Sequence, residues 1–327
     1  MERFRAYVVR EKDGKFTGRI EEKDRSELPE GDVLIKVRYS SVNYKDALSA
    51  SGNKAVTRNY PHTPGVDAAG MVVESKDDRF SPGQTVVVNG FDFGMNTSGG
   101  FQEYIRVPVD WVTPLPSTLS AREAMILGTA GLTAAQSVDE LLRTIAPKDG
   151  PVLVTGATGG VGSVAVALLH RTGFTVHAVS GKAEAAFWVG GLGAGAALGG
   201  DGLLDVSWCP LVKGGNAGGL DTVGGPLLAS ALKRVRYGGV VTACGNVGGA
   251  EFTTTVYPFI LRGVRLIGID SVQQPIAYRE RLLKLLGQEW RLPKLDEMAE
   301  IRPLDALPEV VGQLLAGTHR GRTVIAF

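Results

Sequence analysis

Residues 151–181 read PVLVTGATGGVGSVAVALLHRTGFTVHAVSG. PVLVTG is a short apolar run rich in β-branched residues, ATGGVG is a glycine turn, SVAVALLHRTG has the composition of a buried helix, and FTVHAVSG is a second strand. A strand that enters a helix and leaves by another strand is the βαβ unit of a parallel sheet. Gly156, Gly159, Gly160 and Gly162 fall between the first strand and the helix. Glycines there allow a sharp turn, let backbone N–H groups approach a pyrophosphate, and bring the helix close to the sheet. The helix N-terminus then presents free N–H groups and a partial positive charge to an anion, so the stretch reads as a nucleotide-binding turn.

The second strand ends in Ser180-Gly181-Lys182. A chain that prefers NAD usually places an acid at this strand end to accept hydrogen bonds from the ribose 2'-hydroxyl. A hydroxyl and a cation suit a 2'-phosphate instead, so the expected cofactor is NADPH. Lys182 also reads as an ordinary solvated lysine at a helix start.

Working outward, short strands are readable at LDTVGG (220–225), GGVVTACG (238–245) and VRLIGID (264–270), which complete a doubly wound sheet. Residues 184–219 are glycine-rich and read as loop or frayed helix. Before the βαβ unit, VLIKVRYSSV (33–42), AGMVVES, QTVVVNG and FQEYIRVP read as strands of a barrel-like block. Helical texture begins at AREAMILGTAGLTAAQSVDELLR, with Ser120 as its N-cap. The tail carries an amphipathic helix around AYRERLLKLLGQEW, then ALPEVVGQLLAG and a final strand RTVIAF. The expected fold class is α/β, with a β-barrel domain over 1–121, a doubly wound nucleotide-binding domain over 122–273, and a return of residues 274–327 to the first domain.

At 327 residues the chain is long enough for two domains, each with its own core. Lys plus Arg (35) nearly balance Asp plus Glu (34), and no long like-charge run occurs, so a small-molecule substrate is expected rather than nucleic acid or an anionic membrane. The N-terminal MERFRAYVVREKDGK has no signal-peptide pattern, and the apolar runs are too short and too glycine-broken to span a bilayer, so a cytoplasmic protein is expected. Cys209 and Cys244 cannot build a four-cysteine zinc site, and the four histidines, at 62, 170, 177 and 319, lack metal-ligand spacing. No metal is expected. VRLIGID, as the last strand of the sheet, would leave an edge able to pair with a second copy, so a homodimer is expected.

The stretch SSVNYKDAL (40–48) crowds polar side chains into one turn after a strand. Asn43 can donate through its amide, Tyr44 through its phenol, and Lys45 or Asp46 can set the local charge. Read alone, the turn is also consistent with ordinary capping.

SSVNYKDAL, PGVDAAG, GTAGLTA, VTGATGGVG, VSGK, LDTVGG and PFILRGVRLIGIDSV, in that order over nearly the whole chain, resemble the zinc-independent medium-chain dehydrogenase/reductase family, in the branch of acrylyl-CoA reductases and quinone oxidoreductases. The resemblance implies a GroES-like barrel as catalytic domain, a Rossmann domain, and an active site in the interdomain cleft. It further implies NADPH-dependent hydride transfer to the activated C=C bond of a 2-enoyl thioester such as acrylyl-CoA. A quinone, alkenal or enone reductase is the near alternative, and a non-catalytic NADPH-binding protein is the alternative of another class. Carried over by motif, Tyr44, Thr158, Gly159, Gly160, Val161, Gly162, Ser180, Gly181, Lys182, Gly245, Asn246, Ile269, Asp270, Ser271 and Arg322 would contact cofactor. Asn43, Tyr44 and Asp46 would form the catalytic pocket, with Asn43 and Tyr44 donating to the substrate carbonyl and Asp46 orienting them.

Zinc-binding dehydrogenases often carry Gly-His-Glu, whose histidine holds the metal, where this chain has Gly65-Val66-Asp67. Asp67 there reads as a structural carboxylate near the cleft. Gly199-Gly200 stand where relatives tend to carry an arginine, Lys182 where many carry one, and Asn216 where an aromatic is usual. Lys54, Arg58 and Arg262 are basic residues available to a CoA phosphate, each also readable as simply exposed.

Overall fold

The computed structural model describes residues 3–182, 184–204 and 209–327. The chain divides into two compact units: Met1–Thr129 with Val272–Glu289 and Leu295–Phe327, and Ala130–Ser271 with Trp290–Lys294.

The first unit opens with the antiparallel pair β1 (Arg3–Lys12) and β2 (Lys15–Asp24). β3 (Val33–Val42) leads through Asn43 into the short helix α1 (Tyr44–Ala50), followed by β4 (Asp67–Ser75), β5 (Thr85–Asn89), β6 (Tyr104–Val107) and β7 (Val112–Pro114). Alternation decides which face is buried: Val33, Ile35 and Val37 of β3 point into one apolar cluster with Ala68, Val72, Val86, Val88, Phe93 and Ile105. Helix α2 (Ala121–Leu142) starts where expected. Its Ser120 and Glu123 form a reciprocal cap, with the Ser120 N–H donating to the Glu123 carboxylate at 2.8 Å and the Glu123 N–H to Ser120 Oγ at 3.2 Å. At Gly128 the helix breaks (φ 52°, ψ −156°).

The second unit holds β8 (Val152–Thr155), α3 (Gly160–Arg171), β9 (Val176–Val179), α4 (Ala185–Gly191), β10 (Ala196–Leu198), α5 (Gly200–Leu204), β11 (Asn216–Asp221), α6 (Gly225–Arg234), β12 (Val235–Ala243), α7 (Tyr257–Arg262) and β13 (Arg265–Gly268). The six strands are parallel in the order β10-β9-β8-β11-β12-β13. This is a doubly wound sheet, with its switch point between β8 and β11. Two expectations are corrected. The strand expected at 220–225 lies at 216–221, because Asp221 turns the chain and TVGG leads into α6. The stretch read as loop or frayed helix carries α4, β10 and α5: its glycines hide short regular elements, of whose apolar side chains Val189 and Leu203 are buried while Phe187 and Leu198 are exposed. Residues 205–208 of that stretch lie outside the described residues.

The chain then re-enters the first unit with α8 (Ile276–Gly287), β14 (Ala299–Pro303), α9 (Leu307–Leu315) and β15 (Arg322–Ala326). β15 pairs antiparallel with β3, setting Thr323 opposite Val42. The first position of β15, Arg322, is thereby delivered to the turn that β3 enters. No helix among the described residues is long and apolar enough to cross a membrane.

Candidate active site

In the second unit the expected cofactor residues collect at the C-terminal ends of parallel strands, where doubly wound sheets take their ligands. After β8 the chain turns at Gly156 (φ 61°), and a Cβ on Gly162 would run into the Gly156 carbonyl, so the start of α3 sits directly on the turn. Gly160, Val161 and Gly162 form the first turn of α3, whose N–H groups have no intrahelical partner. At the end of β9 the Ser180 hydroxyl lies 2.9 Å from that of Thr158 and accepts the Lys182 N–H at 3.2 Å. Gly245 and Asn246 follow β12, and a Cβ on Gly245 would strike the Thr222 backbone. Ile269, Asp270 and Ser271 follow β13; the Ile269 N–H donates to the Ala243 carbonyl at 2.9 Å, and the Thr133 hydroxyl donates to Ser271 Oγ at 2.7 Å.

Two side chains support this edge, of which sequence reading singled out only Asn216. Asp221, fully buried, accepts from the Thr155 hydroxyl (2.6 Å) and the Gly224 N–H (2.7 Å), which shapes the turn after β11. Burial raises its pKa against those donors. Asn216, in place of the usual aromatic, sets its Oδ1 3.0 Å from Nδ1 of His177. Gly199 and Gly200 border open space, with no atom within 4 Å of where a Cβ would stand.

In the first unit Asn43, Asp46 and Arg322 meet in one buried network, together with residues that were not singled out. Asn43 is the N-cap of α1 and Tyr44 its first residue. One oxygen of Asp46 accepts the Asn43 N–H (2.8 Å), and the other accepts the N–H groups of Gly65 (3.1 Å) and Val66 (2.9 Å). Asp46 is fully buried; burial, with Asp67 adding to it, pushes its pKa up to about 7 against the donors of Asn43 and Val66.

The Asn43 side chain is turned into the fold. Its amide nitrogen donates to Asp67 Oδ2 at 2.7 Å and to the Ser41 carbonyl at 3.3 Å, so both amide hydrogens are used inside the fold. Tyr44 is half-buried, and its hydroxyl has no hydrogen-bond partner among the described residues. Arg322 is buried: Nε donates to the Ile126 carbonyl (3.0 Å), Nη1 to the Val42 carbonyl (3.2 Å) and Asn43 Oδ1 (3.3 Å), while Nη2 has no partner among the described residues. Burial lowers its pKa, with Asp67 and Asp46 opposing. Ser41 and Thr129 both lie in motifs quoted from the sequence, but their convergence on the Asp67 carboxylate, from 26 and 62 residues away, has no local signal.

Three of the four imidazoles have protein partners: His62 with the Gly94 carbonyl, His177 with Asn216, and His319 with Thr323. No group of three or more His, Cys, Asp or Glu among the described residues is placed to hold a metal ion. Of the basic residues considered for a CoA phosphate, Lys54 pairs with Glu11 at 2.7 Å. Arg262 is occupied by the Lys233, Val235 and Val212 carbonyls.

Residues 29–117 match the alcohol dehydrogenase GroES-like domain, and residues 160–288 the zinc-binding dehydrogenase family. The acrylyl-CoA reductase AcuI of Ruegeria pomeroyi is 42% identical over 325 residues, 98% of each chain. The crystal structure of the yhdH oxidoreductase of Salmonella enterica in complex with NADP is 42% identical, with a TM-score of 0.96 over 99% of each chain. That of Bacillus subtilis yhfP with NAD bound is 39% identical, with a TM-score of 0.97 over the whole of both chains. The chain belongs to the medium-chain dehydrogenase/reductase family, in the branch of the acrylyl-CoA reductase AcuI and YhfP.

Proposed function

We propose that this oxidoreductase is an NADPH-dependent reductase of the activated C=C bond of a 2-enoyl thioester such as acrylyl-CoA. The observation that carries the reading is the likeness over 98% of both chains to an acrylyl-CoA reductase. The residues present fit the cofactor. The α3 N-terminus and its glycines, Gly159 to Gly162, would hold the pyrophosphate, and Gly245, Asn246 and Ile269 to Ser271 the remainder of the nicotinamide half. Thr158, Ser180 and Lys182 would take the 2'-phosphate, since β9 ends without an acid. Nη2 of Arg322, without a partner among the described residues, is a donor for an anionic group. What the bound nicotinamide supplies is a hydride; the rest falls to the chain's own side chains.

As the β-carbon of the acceptor is reduced, negative charge develops on the thioester carbonyl oxygen, and a preorganised donor there is worth a few kcal/mol. With both Asn43 hydrogens turned inward, Tyr44 is the residue for that role, because a phenol O–H is a hydrogen-bond donor and this one has no competing partner among the described residues. Asn43 and Asp46 hold the turn that carries it.

The test is a substrate panel with NADPH: acrylyl-CoA, a free enone and 1,4-benzoquinone. Turnover highest on acrylyl-CoA supports the proposal; a preference for the quinone or enone moves the chain to that alternative, and no turnover on any makes it a binding protein. We propose a homodimer acting in the cytoplasm, where reduced dinucleotide is supplied. β13 is an outer strand of its sheet, and Val256, Ile260 and Leu261 beside or on α7 are exposed apolar side chains. Light scattering should give twice the chain mass, and Ile260→Asp should shift it toward the monomer.

A further inference from the structure

The Asp67 carboxylate draws four donors from two other stretches of chain. From the end of β3 and the α1 cap come the Ser41 hydroxyl (2.5 Å) and the Asn43 amide (2.7 Å). From the break in α2 come the Thr129 N–H (2.9 and 3.0 Å to the two oxygens) and the Thr129 hydroxyl (2.6 Å). Asp67 is fully buried. A carboxylate enclosed in this way, with its lone pairs met by donors, has no opening through which to exchange a proton with a substrate. What it can do is tie segments together.

Arg322 completes the tie, reaching Ile126 before the break and Val42 and Asn43 at the turn. Gly128 closes the space: a Cβ there would stand 2.6 Å from Asp67 Oδ2 and 2.9 Å from Arg322 Nη2, and would also run into the Ser41 hydroxyl. The knot therefore locks the residue immediately before Tyr44 to the break in α2. Fixing a donor's backbone and cap limits the positions its hydroxyl can reach, and donors act on a transition state only when placed to a few tenths of an ångström.

We propose that Asp67 is the positioning residue of Tyr44, binding the Asn43 cap to Thr129 so that the Tyr44 hydroxyl is held for the substrate oxygen. This rests on the reading of Tyr44 as the donor. It assigns to a hydrogen-bonded carboxylate the fixing of a turn, with no part in proton transfer.

The test uses the full chain, NADPH and acrylyl-CoA. Asp67→Asn puts an amide donor against donors and can fail to fold, so Thr129→Val, which removes one donor and keeps the backbone one, carries the experiment. Thr129→Val should lower kcat about fivefold or more, leave the KM for acrylyl-CoA and the Kd for NADPH within twofold, and be rescued by Thr129→Ser. A lowered Tm with unchanged kcat would mean a purely structural knot and overturn the proposal. Tyr44→Phe alone reads the underlying assignment: if it keeps wild-type kcat, Tyr44 is not the donor and the proposal falls with it. If Tyr44→Phe loses activity, the double variant decides. No further loss when Thr129→Val is added to Tyr44→Phe supports action through Tyr44, and a fully additive loss overturns it while leaving Tyr44 as donor.

Discussion

The glycine turn of residues 156–162 and the Asn43–Asp67 turn are built in opposite ways. The first is mainly backbone: glycines and a helix end, with the Thr158 hydroxyl in the turn and Ser180 and Lys182 after the next strand. The second is held by side chains: buried Asp67 takes two hydroxyls, an amide and a backbone N–H, buried Asp46 takes three backbone N–H groups, and buried Arg322 reaches two carbonyls and the Asn43 amide oxygen. A backbone cradle takes any ligand with the right anion, which suits a cofactor shared by many reactions. A side-chain knot fixes one donor in one place, which suits a particular acceptor.

Steric insertion should break each region in a different way, with the largest effects of all. Gly162→Val drives a side chain into the Gly156 carbonyl and should raise the NADPH Kd a hundredfold or more, about 3 kcal/mol, in a fluorescence titration. Gly128→Ala, at φ 52° and against Asp67 and Arg322, should instead cost about 3 kcal/mol of stability in urea unfolding. If the two variants gave the same phenotype, the contrast between the regions would be lost.

Acid–base behaviour sharpens the contrast next. Because Asp46 titrates at about 7 in the fold and has an ordinary value of 3.8, the folded chain holds its proton over that interval. Its contribution to stability is therefore full below pH 4 and lost as pH rises through 7, by about 1.4 kcal/mol per pH unit. The stability difference between wild type and Asp46→Asn should shrink by about 3 kcal/mol from pH 5 to pH 8, and a difference independent of pH would contradict this. Smaller still, Tyr44→Phe should cost tenfold or more in kcat, about 1.4 kcal/mol, with Tm unchanged. The mildest change, Lys182→Ala, should weaken NADPH about fivefold and leave NADH alone; equal weakening of both would remove Lys182 from the 2'-phosphate.

The same contrast explains what the sequence disclosed. The βαβ unit is legible because strand, turn and helix are consecutive and each glycine has a local reason. Ser180 and Lys182 are legible by their place at the end of a strand. The polar turn at Asn43 is visible, but its orientation is not: nothing in SSVNYKDAL says that both amide hydrogens point to Asp67 and Ser41. Asp67 is readable as a structural carboxylate, while its partner Thr129 sits 62 residues away. That pairing depends on a helix breaking at a glycine, which an Ala- and Leu-rich run does not announce. Residues 184–204 read as irregular because glycine weakens the local pattern, yet a few buried apolar side chains are enough to order them.

The most direct measurement is a single turnover of acrylyl-CoA with NADPH deuterated at the transferring C4 position, in protiated water, followed by mass analysis of the thioester product. Hydride addition to the β-carbon predicts propionyl-CoA with one deuterium at C3 and a solvent proton at C2. Product without deuterium, deuterium at C2, or no propionyl-CoA at all would contradict it.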